Sequence, residues 1–162
     1  MSSSLLRRCR LPLLVLAALA FARVPPAAAQ AAQERLWDAA MSGDTVAIAR
    51  ALTDGAKVDS LDLRRNPNGR RALNWAAWYD RVPAIRLLVA RGATIDAANH
   101  TGFTPLHHAA ENGSAAAATA LLEAGADPAM PNGQGLLPAD VARERAHFEI
   151  ALELTAAAGR KK

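Results

Sequence analysis

Apolar residues fall into short segments that come in pairs and alternate with polar turns. The first segment of each pair carries two adjacent alanines, a small pair that allows another helix to approach closely. The second segment carries leucine near its inner end, and a glycine follows it, as at many helix C-termini. The pattern predicts a series of helix pairs. The alanine pairs are Ala39 and Ala40, Ala76 and Ala77, and Ala109 and Ala110, and the later glycines are Gly55, Gly92 and Gly125.

The sequence also repeats itself with a period of 33 residues. GRRALNWAAWYDR begins at Gly69, GFTPLHHAA at Gly102 and GLLPADVARER at Gly135. An upstream copy, ERLWDAAMSGD, matches at an offset of 37, and the four extra residues fall within SLDLRRNPNG, which contains turn-forming residues. Because so short a helix pair cannot bury its own apolar surface, we expect the copies to stack into one elongated core.

The third copy carries a recognisable motif. GFTPLHHAA, followed by LLEAGAD, resembles the ankyrin repeat, and its signature tetrapeptide is matched by Thr104, Pro105, Leu106 and His107. The resemblance implies an all-α ankyrin-repeat solenoid of helix-turn-helix units joined by β-turn fingers. It predicts a repeat domain over residues 30–158, with repeats at roughly 33–65, 66–98, 99–131 and 132–158, and a basic tail at 159–162.

The resemblance further implies that His107 closes a hydrogen-bond network with Thr104 and thereby fixes the turn into its helix. We call this local network the brace. The second copy has RALN at positions 71–74 and the fourth has LPAD at 137–140 in place of the tetrapeptide. We therefore expect the brace to be absent from the second repeat.

The N-terminal segment has the features of an export signal. Arg7, Arg8 and Arg10 precede an uncharged run over residues 11–22, and small residues lead up to Ala29. We predict a signal peptide over residues 1–29 with cleavage after Ala29, because the apolar run is shorter than a membrane span. The alanine-, arginine- and leucine-rich composition favours a bacterial protein, periplasmic or secreted, and leaves open the Sec and twin-arginine routes.

Cleavage would change the charge and the redox chemistry of the chain. The full sequence has 19 basic and 15 acidic residues, and residues 1–29 hold four arginines and no acid. The mature chain would be formally neutral, so we expect no nucleic-acid partner. It would also lose Cys9, the one cysteine, and with it any disulfide or thiol chemistry. We expect a monomer that does not associate with membranes after cleavage.

The histidines raise an alternative from another functional class. His100, His107 and His108, together with Glu111, form a candidate metal-binding or hydrolytic cluster. Neighbouring helix residues point about 100° apart, however, so His107 and His108 cannot readily bind one ion. No nucleophile elbow and no glycine-rich phosphate loop occurs in the sequence. We therefore predict a protein without catalytic residues, metal or cofactor.

The family pattern places variable residues on a concave groove that contacts partners. Trp78 and Tyr79 stand out there, because half-exposed aromatic side chains are typical of interface hot spots. The alternative is that they cover the alanine-rich segment 115–120. Trp75 and His108 occupy equivalent, usually apolar positions of their repeats. We therefore expect Trp75 to pack between helices, whereas His108 either packs inside or reaches the groove. The predicted partner-binding residues are Met41, Ser42, Arg70, Trp78, Tyr79, Phe103, His108, Glu111 and Asn112.

Charge is distributed unevenly along the repeats. Residues 60–99 carry a net charge of +4 and residues 100–155 a net charge of −5. Arg64, Arg65, Arg70 and Arg71 cluster in and after the insertion, which predicts a basic finger for docking an acidic surface unless these are simply solvated side chains. We predict an exported, non-enzymatic protein–protein interaction module whose partner is a protein. It would support or inhibit a periplasmic enzyme.

Overall fold

The computed structural model describes residues 27–160, which form helix-turn-helix units. Residues 1–26 of the predicted signal peptide and the last two residues of the predicted tail lie outside the described residues. Four helix pairs follow one another along the chain, so the all-α ankyrin solenoid predicted from the repeats is confirmed. The helices are α1 Ala27–Ser42, α2 Thr45–Thr53, α3 Ala72–Trp78, α4 Val82–Ala90, α5 Pro105–Asn112, α6 Ala115–Glu123, α7 Pro138–Glu144 and α8 Phe148–Arg160.

Stacking of equivalent helices builds the core. The first helices of successive pairs contact each other (α1 with α3, α3 with α5, α5 with α7), and the second helices do the same. The predicted alanine pairs lie in these contacts and are buried, because only a methyl group fits where two helices approach closely. One continuous apolar cluster runs from Leu36 to Leu154. This is the shared core that no single pair could form.

Proline and capping side chains define where the helices begin. Pro105 and Pro138 stand at the first position of α5 and α7, where a missing N–H costs no hydrogen bond. Pro83 is the second residue of α4. Asp44 caps α2 by accepting a hydrogen bond from the backbone N–H of Ala47 at 2.9 Å.

The connections between pairs form the fingers of the solenoid. Among residues 27–160 there is no regular strand, and one isolated antiparallel bridge joins Asp62 to Arg70. Asn99 shapes its finger because Oδ1 accepts hydrogen bonds from the backbone N–H groups of Thr101 and Phe103, at 3.0 and 2.9 Å. Asn66 and Asn132, one period before and after, also accept backbone N–H groups of their own turns.

Successive fingers are joined by backbone hydrogen bonds. The N–H of His100 donates to the carbonyl of Asn68, and the N–H of Gly133 donates to the carbonyl of Thr101, both at 2.9 Å. A Cβ at Gly102 would lie 2.4 Å from the backbone nitrogen of Gly133, so the fingers approach too closely for a side chain there. The fingers therefore form a continuous wall beside the first helices.

The brace lies at the start of α5. Nδ1 of His107 is 3.2 Å from the backbone nitrogen of Thr104 and 2.8 Å from its Oγ1. Nε2 of His107 lies 3.0 Å from the carbonyl oxygen of Leu136. Since the carbonyl can only accept, Nε2 carries the proton and Nδ1 accepts. Both side chains are fully buried, and the imidazole joins two repeats.

The second repeat has a brace as well, and the expectation that it is absent was wrong. Oδ1 of Asn74 accepts the backbone N–H of Arg71 at 2.8 Å, and in the fourth repeat Asp140 accepts that of Leu137 at 2.9 Å. An amide or carboxylate oxygen at the third helical position can accept the same N–H as an imidazole nitrogen. The position is therefore preserved by geometry although the residue type changes.

Candidate partner-binding groove

An open groove of about 560 Å³ lies between the fingers and the first helices of the second and third repeats. Four of the nine predicted partner-binding residues line it: Arg70, Phe103, His108 and Glu111. The other lining residues belong mainly to the fingers and were not predicted, although turn residues recurring at the 33-residue period could have indicated them. They are Asn66, Asn68, Asn99, His100, Thr101, Gly102, Gly133 and Gln134.

Arg70 is held between two indole rings. Its guanidinium carbon lies 4.6 Å from the ring centroid of Trp75 and 4.1 Å from that of Trp78. Nε of Arg70 is buried and has no hydrogen-bond partner. Burial lowers the pKa of Arg70, but a guanidinium stays protonated at any physiological pH. The groove therefore contains a fixed positive charge.

The aromatic residues divide between core and surface. Trp75 is buried, as expected, and its Nε1 donates to Asp62 Oδ2 at 3.2 Å. Its ring stacks on Tyr79 with a centroid distance of 6.1 Å, and Tyr79 is 40% exposed. Trp78 is half-buried and meets the ring of His108 edge-on at 6.1 Å. Neither Trp78 nor Tyr79 lines the cavity itself, but Trp78 contacts Arg70 and His108, which do.

His108 is buried and yet lines the groove. Its ring lies 5.6 Å from that of Phe103, and neither ring nitrogen has a hydrogen-bond partner. Nδ1 is 3.8 Å from Glu111 Oε2, which is too long for a hydrogen bond. Burial lowers the pKa of His108 to about 4, so the ring is neutral at neutral pH. The sequence left open whether His108 packs inside or reaches the groove, and in the structure it does both.

Glu111 is held by the fourth repeat. Arg145, which the sequence did not indicate, donates from Nη2 to Glu111 Oε1 at 2.8 Å. The neighbouring imidazole of His108 and the guanidinium groups of Arg145 and Arg70 hold the pKa of Glu111 below its usual range. The groove therefore contains one ionised carboxylate that already has a partner.

The predicted basic finger is largely neutralised within the molecule. Nε of Arg64 lies 2.8 Å from Asp62 Oδ1, and its Nη2 lies 3.1 Å from Asp38 Oδ1. Arg64 also stacks on Trp37, and Arg65 is 4.0 Å from Asp38. Asp62 is fully buried, so Arg64 serves to compensate a buried carboxylate.

Arg71 has a structural role too. Its guanidinium donates to the backbone carbonyl of Asp59, at 2.9 Å, and to that of Ala98. The expectation of a four-arginine docking finger was therefore wrong for Arg64 and Arg71. Carboxylates and backbone carbonyls of this chain satisfy these arginines, and Arg70 is the arginine of the four that lines the groove.

The remaining predicted residues lie outside the cavity. Met41 is half-buried against the core, and Ser42 Oγ donates to the carbonyl of Ala39 at 3.1 Å. Nδ2 of Asn112 donates to the carbonyl of Trp78 at 2.7 Å and so links the second and third repeats. The structure does not bring Met41 and Ser42 to the cavity around Arg70.

Comparison with known proteins identifies the family. The family model described as ankyrin repeats (3 copies) matches residues 36–132. The chain is an ankyrin repeat protein. Ankyrin repeats generally mediate protein–protein interaction and are typically not catalytic themselves.

Several curated relatives share this ankyrin region. The nuclear factor NF-kappa-B p105 subunit of Mus musculus is 35% identical over 109 residues, which are 67% of this chain and 11% of the relative. Protein phosphatase 1 regulatory subunit 27 of Mus musculus is 38% identical over 76 residues, 47% of this chain and 49% of the relative. The B-cell lymphoma 3 protein homolog of Mus musculus is 30% identical over 109 residues, 67% and 24% respectively. The ankyrin repeat protein thus spans less than half the length of each.

The histidine cluster of this ankyrin repeat protein does not have the arrangement of a metal site. Both ring nitrogens of His107 contact Thr104 or Leu136, and the ring of His108 is buried. Residues 27–160 contain no group of three His, Cys, Asp or Glu side chains placed to hold an ion. Over the same residues, no helix is long and apolar enough to cross a bilayer.

Proposed function

We propose that the protein is an exported, non-enzymatic interaction module that binds a protein partner in the groove around Arg70. The observation that carries this proposal is the guanidinium of Arg70, which is held between two indoles at the edge of an open, polar cavity. Arginine and aromatic side chains are the residue types that contribute most binding energy at protein interfaces. The half-buried Trp78 and the exposed Tyr79 add apolar surface beside this cavity.

The proposal of export to the periplasm or medium of a bacterium rests on the predicted signal peptide. Helix α1 begins at Ala27, and its first buried residue is Ala32. Among the described residues, cleavage after Ala29 would therefore remove only residues 27–29, none of which is buried. The mass of the mature chain isolated from the periplasm or medium tests this proposal, since an intact N-terminus on that chain would contradict it.

We further propose that the partner is an enzyme whose activity the protein supports or inhibits. One relative is by name a regulatory subunit of a protein phosphatase, which is a precedent for regulation of an enzyme. The alternative role is neutralisation of a toxin. We propose that the mature protein is a monomer and binds neither nucleic acid nor membranes.

The groove is tested by substituting Trp78→Ala together with Tyr79→Ala. We expect the double variant to fold, because neither side chain belongs to the apolar core. We expect it to lose its partner, because Trp78 contacts Arg70 and His108 of the cavity wall and Tyr79 is the exposed aromatic residue next to it. Partner capture is measured with tagged mature protein, followed by mass spectrometry of what co-purifies.

The matched control is Phe148→Ala together with Leu152→Ala. These side chains on α8 are 68% and 74% exposed, and they lie outside the cavity. We expect this control to retain the partner. Equal capture by wild type and by the Trp78 and Tyr79 double variant would refute a groove-centred interaction.

A further inference from the structure

We propose that Arg70 binds a single Asp or Glu side-chain carboxylate of the partner protein. This inference rests on the proposed function and adds the chemistry of the group that is recognised. It follows from the geometry around the guanidinium and from the charges on the cavity wall.

Both indoles contact the guanidinium. Trp75 and Trp78 lie 4.6 and 4.1 Å from the guanidinium carbon of Arg70. The terminal Nη1 and Nη2 groups make no hydrogen bond to residues 27–160, so these donors are available to a ligand. A planar carboxylate matches them with two parallel hydrogen bonds. Arg70 is therefore oriented before the partner arrives.

Arg70 has no anionic partner within the described part of the chain. No carboxylate oxygen of residues 27–160 lies within 4.0 Å of Arg70. Arg64, six positions earlier, pairs with two carboxylates. Nε of Arg70 is buried without any hydrogen bond. Because Nε is buried, the terminal Nη groups are the donors with which a partner's carboxylate would pair. Arg70 thus differs from the structural arginines beside it.

The rest of the cavity favours one negative charge. His108, at 2% exposure, lines the cavity with both ring nitrogens unpartnered. Asn68 and Gln134 on the fingers offer uncharged polar groups. Glu111 is on the same wall, and although Arg145 pairs with it, its charge opposes a dianion such as a phosphate more than a carboxylate. A carboxylate is therefore the better match.

The experiment uses a phage library of random linear peptides panned on the folded mature protein. Peptides are retained for study when the Trp78→Ala and Tyr79→Ala double variant does not bind them, which assigns them to the groove. We expect these peptides to share one acidic residue. Replacing it by Gln or Asn should weaken binding to wild type about tenfold, as for a charge-assisted hydrogen bond.

A double-mutant cycle then assigns the acid to Arg70. In Arg70→Gln the same peptide substitution should change affinity less than about twofold. Arg70→Lys keeps the charge but not the planar donors and should give an intermediate loss. The control is Arg86→Gln, because Arg86 is exposed on α4 and lies outside the cavity; there the tenfold effect should persist. The thermal melts of all variants are compared first.

Each outcome decides between the two proposals. Groove-binding peptides without a shared acid, or with an acid whose replacement changes nothing, would overturn carboxylate recognition and leave the interaction groove intact. This comparison uses the wild-type protein and the Trp78→Ala and Tyr79→Ala double variant but not Arg70→Gln, so it holds even when Arg70→Gln does not fold. A library that yields no peptide sensitive to Trp78 and Tyr79 would overturn both proposals.

Discussion

Within residues 27–160, one turn joins the two helices of each repeat. The residue at the equivalent position of each of these four turns has a positive φ. Gly43 and Gly113 have φ values of 85° and 75°, but Asp80 and Ala146 have φ values of 57° and 62°. This left-handed conformation is unfavourable for a residue with a Cβ. Asp80 has a compensating contact, because its Oδ1 accepts the backbone N–H of Ala117 at 2.6 Å. Ala146 is exposed, and its methyl group makes no such contact.

We expect Ala146→Gly to stabilise the protein by about 0.5–1 kcal/mol, because glycine adopts this conformation without the Cβ penalty. Urea unfolding measures the change. The control is Ala124→Gly, since Ala124 is also exposed at a helix end but has φ −78°. That variant should lose about 0.5–1 kcal/mol through the entropy of the unfolded chain. If Ala146→Gly and Ala124→Gly lowered the free energy of unfolding equally, the proposed backbone strain at Ala146 would be contradicted.

Among the elements, helices α3, α5 and α7 begin with the same type of hydrogen bond and differ in how they join the next repeat. Asn74, His107 and Asp140 each accept the backbone N–H at the start of their helix. The imidazole also reaches the carbonyl of Leu136 in the next finger. Helix α5 is therefore tied both to its own turn and to the fourth repeat.

His107→Ala should lower the free energy of unfolding by about 1–3 kcal/mol, because it leaves buried partners without hydrogen bonds. His107→Asn should cost less, since its amide oxygen can still accept the N–H of Thr104 as Asn74 does for its own turn. Urea unfolding of both variants and of Thr104→Ala gives the order. Unchanged stability together with lost partner binding would instead make the pair functional.

Across the whole molecule, the stacked repeats share one core that contains two neutral histidines. Burial lowers the pKa of His107 and of His108, in the second case from 6.5 to about 4. In the unfolded chain both would take up a proton near the ordinary value. Because stacked repeats depend on one another, the charge on these rings affects the whole solenoid.

The contribution of these histidines to the free energy of unfolding should therefore have its full value above pH 6.5 and decrease as the pH falls toward about 4. A lowered histidine pKa means that the unfolded state binds more protons in this window, so acid favours unfolding. Urea titrations across the window measure the slope. His108→Leu, which places an apolar residue at a usually apolar position, should flatten it. An equal slope in this variant would exclude His108 as a source.

The sequence by itself determined the family architecture and its local contacts. A 33-residue period, paired alanines and turn residues are local patterns, so the helix pairs, the shared core and the burial of Trp75 could be predicted. Substituted brace residues such as Asn74 were missed, because the signature was judged by residue type and not by the hydrogen bond that the position makes.

Only the tertiary structure decided what each charged side chain does. Arg64, Arg70 and Arg71 lie within eight residues of one another and look alike. Arg64 nevertheless pairs with Asp38, 26 positions away, as well as with the nearby Asp62, and Arg71 donates to a carbonyl 27 positions away. Long side chains reach partners far along the chain, and the sequence pattern carries no information on those distances. The folded chain satisfies two of these arginines and leaves Arg70 between two indoles at the groove.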